Sequence, residues 1–106
     1  ERFSGAKVAY EQALNIEGDI PAALNNYGYA LCKLGEFEKS LQYVDKALSL
    51  NSQDPCVYET RACALVGLGR FHEAIEMTRK SISLAPKTPE PYFTQGDALD
   101  KLGKYD

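Results

Sequence analysis

The chain has 106 residues, 44% of them hydrophobic and 25% charged, which suits one soluble globular domain or part of one and calls for no exotic class. Twelve basic against fifteen acidic residues leave a net charge of −3, so no global basic field draws in nucleic acid or an anionic membrane. No run approaches the roughly 18 apolar residues of a membrane-spanning helix, and the N-terminus lacks a basic-then-apolar signal segment, so the chain reads as soluble, while three cysteines with no Cys-x-x-Cys pair point to a reducing, cytoplasmic compartment.

A Leu-Gly-polar-aromatic phrase returns at a fixed interval: Leu34-Gly35-Glu36-Phe37, Leu68-Gly69-Arg70-Phe71 and Leu102-Gly103-Lys104-Tyr105, with 34 residues from each Gly to the next. Such a period signals stacked repeats. In each phrase the Leu is expected to end one helix and the aromatic to return the chain to the core. The Gly is expected to take a left-handed backbone, which costs a residue with a Cβ roughly 1–2 kcal/mol.

Taken in order, residues 1–20 enter in mid-unit, since Phe3, Ala6, Ala13, Leu14 and Ile16 lie 34 before Phe37, Ser40, Ala47, Leu48 and Leu50. A second helix over about 3–17 is predicted, the least well anchored of the set because Lys7 stands where later units carry Leu41 and Ile75. The first complete unit, 21–54, opens at Pro21 and places Leu24, Tyr27, Gly28, Ala30, Leu31 and Leu34 on one helical stripe, then Phe37, Ser40, Leu41, Val44, Ala47, Leu48 and Leu50 on a second. Asp54-Pro55 offers an N-cap with Pro at the first helical position, where its missing N–H is harmless.

The second unit, 55–88, repeats the plan with Tyr58, Ala62, Ala64, Leu65 and Leu68, then Phe71, Ala74, Ile75, Ile82 and Leu84. Thr88 is the expected N-cap of the next helix, which restarts at Pro89. Residues 89–106 supply a first helix with Tyr92, Gly96, Ala98, Leu99 and Leu102, followed by the third phrase. The predicted helices are thus about 3–17, 21–34, 37–50, 55–68, 71–84 and 89–102. Small residues at Gly28, Ala62 and Gly96, and at Ser40 and Ala74, mark the sites where paired helices should approach closely. A large side chain there would overpack the contact.

These residues resemble the tetratricopeptide repeat, a helix-turn-helix unit of 34 residues, over essentially the whole chain. The likeness includes Leu24, Tyr27, Gly28, Leu31; Tyr58, Arg61, Ala62, Leu65; Tyr92, Gln95, Gly96, Leu99; and Pro86 near the end of a second helix. Arg61 and Gln95 depart from the usual Leu, and Ser52 from the usual Pro. The resemblance implies an all-α fold: a right-handed superhelical solenoid of antiparallel helix-turn-helix repeats with six helices. First helices would line a concave groove that takes a segment of another protein.

By analogy with the family's groove positions, the first helices would present Asn25, Asn26, Tyr29, Cys32 and Lys33, then Glu59, Thr60, Cys63 and Val66, then Glu90, Phe93, Thr94, Asp97 and Lys101. Some family members grip the C-terminal carboxylate of heat-shock chaperones with Lys, Asn and Arg. Here Asn25 and Tyr29 take the first two clamp positions, Thr60 the next, and Glu90 and Thr94 the places where cations are wanted. Without Lys or Arg there the charge-assisted pairing is missing, so that function is not expected. Apolar and aromatic contact from Tyr29, Val66 and Phe93, oriented by Asn25, Asn26 and Glu59, is expected instead.

Cys32, Cys56 and Cys63 are an odd number with no Cys-x-x-Cys pair, so reduced thiols are expected, with Cys32 and Cys63 acting as small hydrophobes rather than a redox pair. His72 is a lone histidine, and the acid pairs Glu73/Glu76 and Asp97/Asp100 each share one helix side rather than converging across a cleft. With no phosphate loop, HExxH or paired nucleophile, neither an enzyme nor a cofactor or metal is expected. A protein or peptide partner is. RNA binding by a related helical repeat is disfavoured by the period and the acidic balance. The alternative is a structural or self-assembling segment that forms a homo-oligomer through uncapped ends, since Leu99, Leu102 and Tyr105 would lack cover.

Overall fold

The computed structural model describes residues 2–18 and 20–105, the side chains of 2–4, 17, 104 and 105 aside. The expected packing of Phe3 and the return of Tyr105 to the core fall on side chains outside the described residues. Among the described residues there are six helices: α1 Arg2–Glu17, α2 Pro21–Lys33, α3 Phe37–Leu50, α4 Pro55–Gly67, α5 Phe71–Leu84 and α6 Glu90–Tyr105. Their starts and stops follow local chemistry. Pro21 and Pro55 occupy the first helical positions, and the Asp54 carboxylate accepts the Cys56 backbone N–H at 2.9 Å.

The first two copies of the glycine phrase form the same C-terminal cap. Gly35 has φ 84° and Gly69 φ 77°. Glu36 N–H reaches Leu31 O and Arg70 N–H reaches Leu65 O, both at 2.9 Å, while Gly35 N–H and Gly69 N–H bond Cys32 O and Val66 O at 3.0 Å. This pair of bonds satisfies carbonyls that the helix end leaves open.

Two expectations at the sixth helix are corrected. Thr88 is not its N-cap: Pro89 O accepts the Tyr92 and Phe93 N–H groups, so the helix begins one residue later, and Thr88 gives its own N–H to Ala85 O. The third phrase is not a turn, since α6 runs on through Gly103 to Tyr105. The first two turns are held by a following helix that packs back. Among the described residues no such helix follows Gly103, and its backbone keeps the helical conformation.

Each helix packs on its sequence neighbour, and α2 also packs on α4 and α4 on α6, whereas α3 and α5 make no such contact with each other. First helices therefore form a continuous layer and second helices stand behind it, in a body of 44 × 28 × 20 Å. One core cluster joins Leu24, Val44, Ala47 and Val57, and another joins Cys32, Leu41, Ala64, Leu65, Ala74, Ile75 and Ala98. Burial of each large apolar side chain contributes about 1.5–3 kcal/mol. The small-residue sites divide. Gly28 approaches Ser40 and Val44, and Ser40 Oγ donates to Gly28 O at 2.6 Å, but Gly96 has no atom close to it, because among the described residues no helix packs on that side of α6.

Lys7, the misfit of the first helix, is explained by an ion pair with Glu36 at 3.0 Å across to the first turn. Among the described residues α1 packs on α2 alone, and leaves Val8 55% and Ile16 84% exposed.

Candidate functional site

The layer of first helices borders a cavity of about 510 Å³. Residues 34 apart return to one face of successive units. The cavity accordingly takes Asn25 with Glu59 and Phe93, then Asn26 with Thr60 and Thr94, then Tyr29 with Cys63. Lys33 lines its α2 end and Glu90 its α6 end. The cavity crosses the helices obliquely, meeting α2 at residues 25–33, α4 at 55–63 and α6 at 90–94. It thus slides toward the N-terminus of each successive first helix.

That slant accounts for the expected residues it leaves out. Asp97 and Lys101 lie farther along α6 and pair with each other at 3.3 Å. Val66 is partly buried and packs against the core cluster rather than lining the cavity. Cys32 is buried in that same cluster. The cavity also has walls that sequence reasoning missed. Pro55, Cys56 and Pro91 follow from the slant, and Cys56 stands 34 before Glu90, a signal that was available. Ser81, from the second helix α5, and Thr88, from the loop before α6, carry no such signal.

Polar chemistry concentrates on Glu59. Its Oε2 accepts the Thr94 hydroxyl at 2.6 Å and the Cys63 thiol at 3.1 Å, which ties α6 to α4. Its Oε1 is buried with no hydrogen-bond partner, as is Asn25 Oδ1 in the same wall. An unpaired buried acceptor costs about 1–3 kcal/mol. Burial pushes the Glu59 carboxyl above its ordinary range and Glu90 adds to the effect, against the bonds from Thr94 and Cys63 and the charge of Lys33.

Cys63 is pushed up to about 12 by burial and by Glu59 beside it. Burial also raises Cys32. Both therefore stay protonated thiols, the form that neither attacks a disulfide nor binds metal well. The apolar part of the site is aromatic: Phe93 is 76% exposed and Tyr29 43%, and Lys33 Nζ stands 5.2 Å from the Tyr29 ring centroid. Lys33 is the one cation among the lining residues, which include no arginine. His72, Glu73 and Glu76 lie away from this cavity on α5 and are exposed.

Two family models, both described as tetratricopeptide repeat, match the chain at residues 21–54 and 57–88. Solved structures agree on the fold. The first TPR domain of human RPAP3 superposes with a TM-score of 0.87 at 20% identity, over 96% of this chain and 80% of that one. The first TPR of Spaghetti (RPAP3) bound to the HSP90 peptide SRMEEVD gives 0.86 at 20% identity, over 96% and 81%. TTC0263, a thermophilic TPR protein of Thermus thermophilus, gives 0.88 at 19% identity, over 97% and 59%. No curated protein sequence matches the chain.

Proposed function

The chain belongs to the tetratricopeptide repeat family, and on that premise we propose that it is a protein-interaction scaffold whose first-helix cavity is a groove for a segment of a partner protein. The observation that carries this reading is the pairing, within one wall, of exposed aromatic rings on Phe93 and Tyr29 with unpaired buried acceptors on Asn25 and Glu59. Phe93 offers more contact area than a solvent-facing helix position requires, and a well-packed aromatic anchor is the usual source of affinity in such grooves. Asn25 and Glu59, with Asn26 beside them, fix how the segment lies.

Neighbouring structures of this fold hold acidic chaperone peptides, SRMEEVD in one and SGPTIEEVD in another. The groove here lacks the cations that such tails need, since Glu90 and Thr94 stand at the two places where they would be supplied. A different kind of segment is therefore its partner.

Binders selected from a short-peptide library against the chain provide the test. Tyr29→Ala combined with Phe93→Ala should abolish their binding while leaving the chain folded by circular dichroism, since Phe93 is 76% and Tyr29 43% exposed. Binders that hold equally to the double variant would locate the contact elsewhere and reject the groove.

A second reading has its own observation. Tyr92 is 47% and Leu99 54% exposed on α6, while Val8 and Ile16 are exposed on α1, so apolar side chains face out on the first and last of the described helices. End-to-end association would cover them. Light scattering of a Leu99→Glu variant checks this: a parent that is already monomeric at high concentration removes the reading.

A further inference from the structure

Resting on the groove reading above, we infer that the occupant is a protein segment that sets a lysine or arginine against Glu59 and Glu90, with an apolar side chain of the same segment on Phe93. The charge of the wall is the first support. Glu59 on α4 and Glu90 on α6 face one cavity, and among the described residues neither is in an ion pair. Lys33, the lining cation, has its ammonium over the Tyr29 ring and offsets only part of that charge. An acidic tail or a nucleic-acid backbone meets repulsion here, whereas a basic side chain meets complementary charge.

Hydrogen bonding is the second support. Thr94 and Cys63 occupy Oε2 of Glu59, while Oε1 and Asn25 Oδ1 are acceptors without donors. A lysine ammonium carries three donors and a guanidinium five, and neither brings an acceptor that would compete. The pair would be charge-assisted and shielded from water on the carboxylate side, which strengthens it relative to a surface ion pair.

Phe93 supplies the third. It lies 34 residues from Glu59, hence at the equivalent position of the next first helix, and it is 76% exposed. Its ring can take a neighbouring apolar side chain or the methylene stem of the basic residue, with added attraction between cation and ring face. The raised proton affinity of Glu59, caused first by burial and with Glu90 adding to it, fits a carboxylate that lacks a cation in the free chain.

The probe is a random short-peptide library panned on the chain, followed by titration of the selected peptides against Phe93→Ala, Glu59→Gln and Glu90→Gln. The expected result is enrichment of Lys or Arg next to an apolar residue, and loss of binding in Phe93→Ala. Glu59→Gln should weaken it roughly tenfold or more, the scale of a hydrogen bond to a charged group. The Glu90→Gln loss should be smaller and should shrink further with added salt. Phe93-dependent binders without basic enrichment, or a folded Glu59→Gln that binds equally well, overturn the inference and leave the groove standing. Should Glu59→Gln fail to fold, Glu90→Gln on its exposed site decides, and undiminished low-salt binding overturns the inference. Binders that ignore Phe93→Ala reject the groove itself and the inference with it.

Discussion

Gly67 closes α4 at a position where the units before and after carry Lys33 and Lys101. The reason is Phe37: a Cβ on Gly67 would collide with Cδ1, Cε1 and Cζ of that ring. Gly67→Ala therefore sets two effects against each other. Helix propensity favours Ala by up to about 1 kcal/mol, less at a last turn. Overpacking against a flat ring held at the start of α3 costs about 1–3 kcal/mol. The clash wins, and the expected result is a loss of up to about 2 kcal/mol, with Tm falling about 4–8 °C per kcal/mol for a domain of this size. Urea titration followed by circular dichroism measures it. In a Phe37→Leu background the same change should become neutral or stabilising, so the double-mutant cycle should show strong coupling. A higher midpoint for Gly67→Ala in the parent chain, or an equal loss in both backgrounds, would refute the steric account.

The three glycines of the repeated phrase should respond with opposite signs. Gly35→Ala and Gly69→Ala should each cost about 1–2 kcal/mol because their φ angles are 84° and 77°, while Gly103→Ala, inside α6 with no atom near, should be neutral or stabilising by up to about 1 kcal/mol in thermal melts. Glu59 makes the pH dependence directional. Its folded-state affinity for protons is raised, so the folded chain binds more protons than the unfolded one above the ordinary value of 4.5, and its contribution to stability falls as pH rises through that window. Melts of Glu59→Gln should consequently gain on the parent between about pH 4 and neutrality, and a gap that moves the other way with rising pH would contradict the assignment. Thiol alkylation at mildly basic pH should reach the exposed Cys56 first and leave Cys32 and Cys63 slow until the chain unfolds, as mass spectrometry of the labelled peptides would show.

Six helices were legible because the period constrains everything that depends on a position's own unit. Leu24, Leu31, Val44, Leu65 and Ala74 are buried where the helical stripe puts them. Helix ends that depend on local bonds, such as the Asp54 cap and the glycine turns at Gly35 and Gly69, were legible for the same reason. The third turn was not, since Gly103 carries the same phrase as Gly35 and Gly69 yet lies within α6. Gly67 was also hidden, because its smallness answers a ring that arrives from α3 of the preceding unit. At the site, repeat spacing selects the face of each first helix, which is why Asn25, Glu59 and Phe93 share one wall. Spacing does not give the slope of that wall across the units, so it does not show that Asp97 and Lys101 lie beyond the cavity or that Ser81 borders it.

Polar contacts at one repeated position, two of them made by the departures Arg61 and Gln95, show what period alone leaves open. Tyr27, Arg61 and Gln95 are 34 apart, and each reaches back to a second helix of the preceding unit. Tyr27 donates to Glu11 at 3.1 Å, Arg61 to Asp45 at 2.7 Å and Gln95 to Thr78 at 3.2 Å. Glu11 and Asp45 are themselves 34 apart, so the first two are one contact written twice with different chemistry. Since Asp45 is 53% exposed, its pair with Arg61 contributes little to stability, about 0–1 kcal/mol. These bonds lie at the back of each first helix and join it to a second helix of the unit before. On the opposite face of the same helices, Glu59 and Thr94 make the forward link from α4 to α6. The shape of the cavity is set between these two kinds of link. Replacing Arg61 by the usual Leu should therefore change the thermal melt by no more than about 1 kcal/mol, and a larger loss would show that the exposed pair with Asp45 is worth more than its exposure implies.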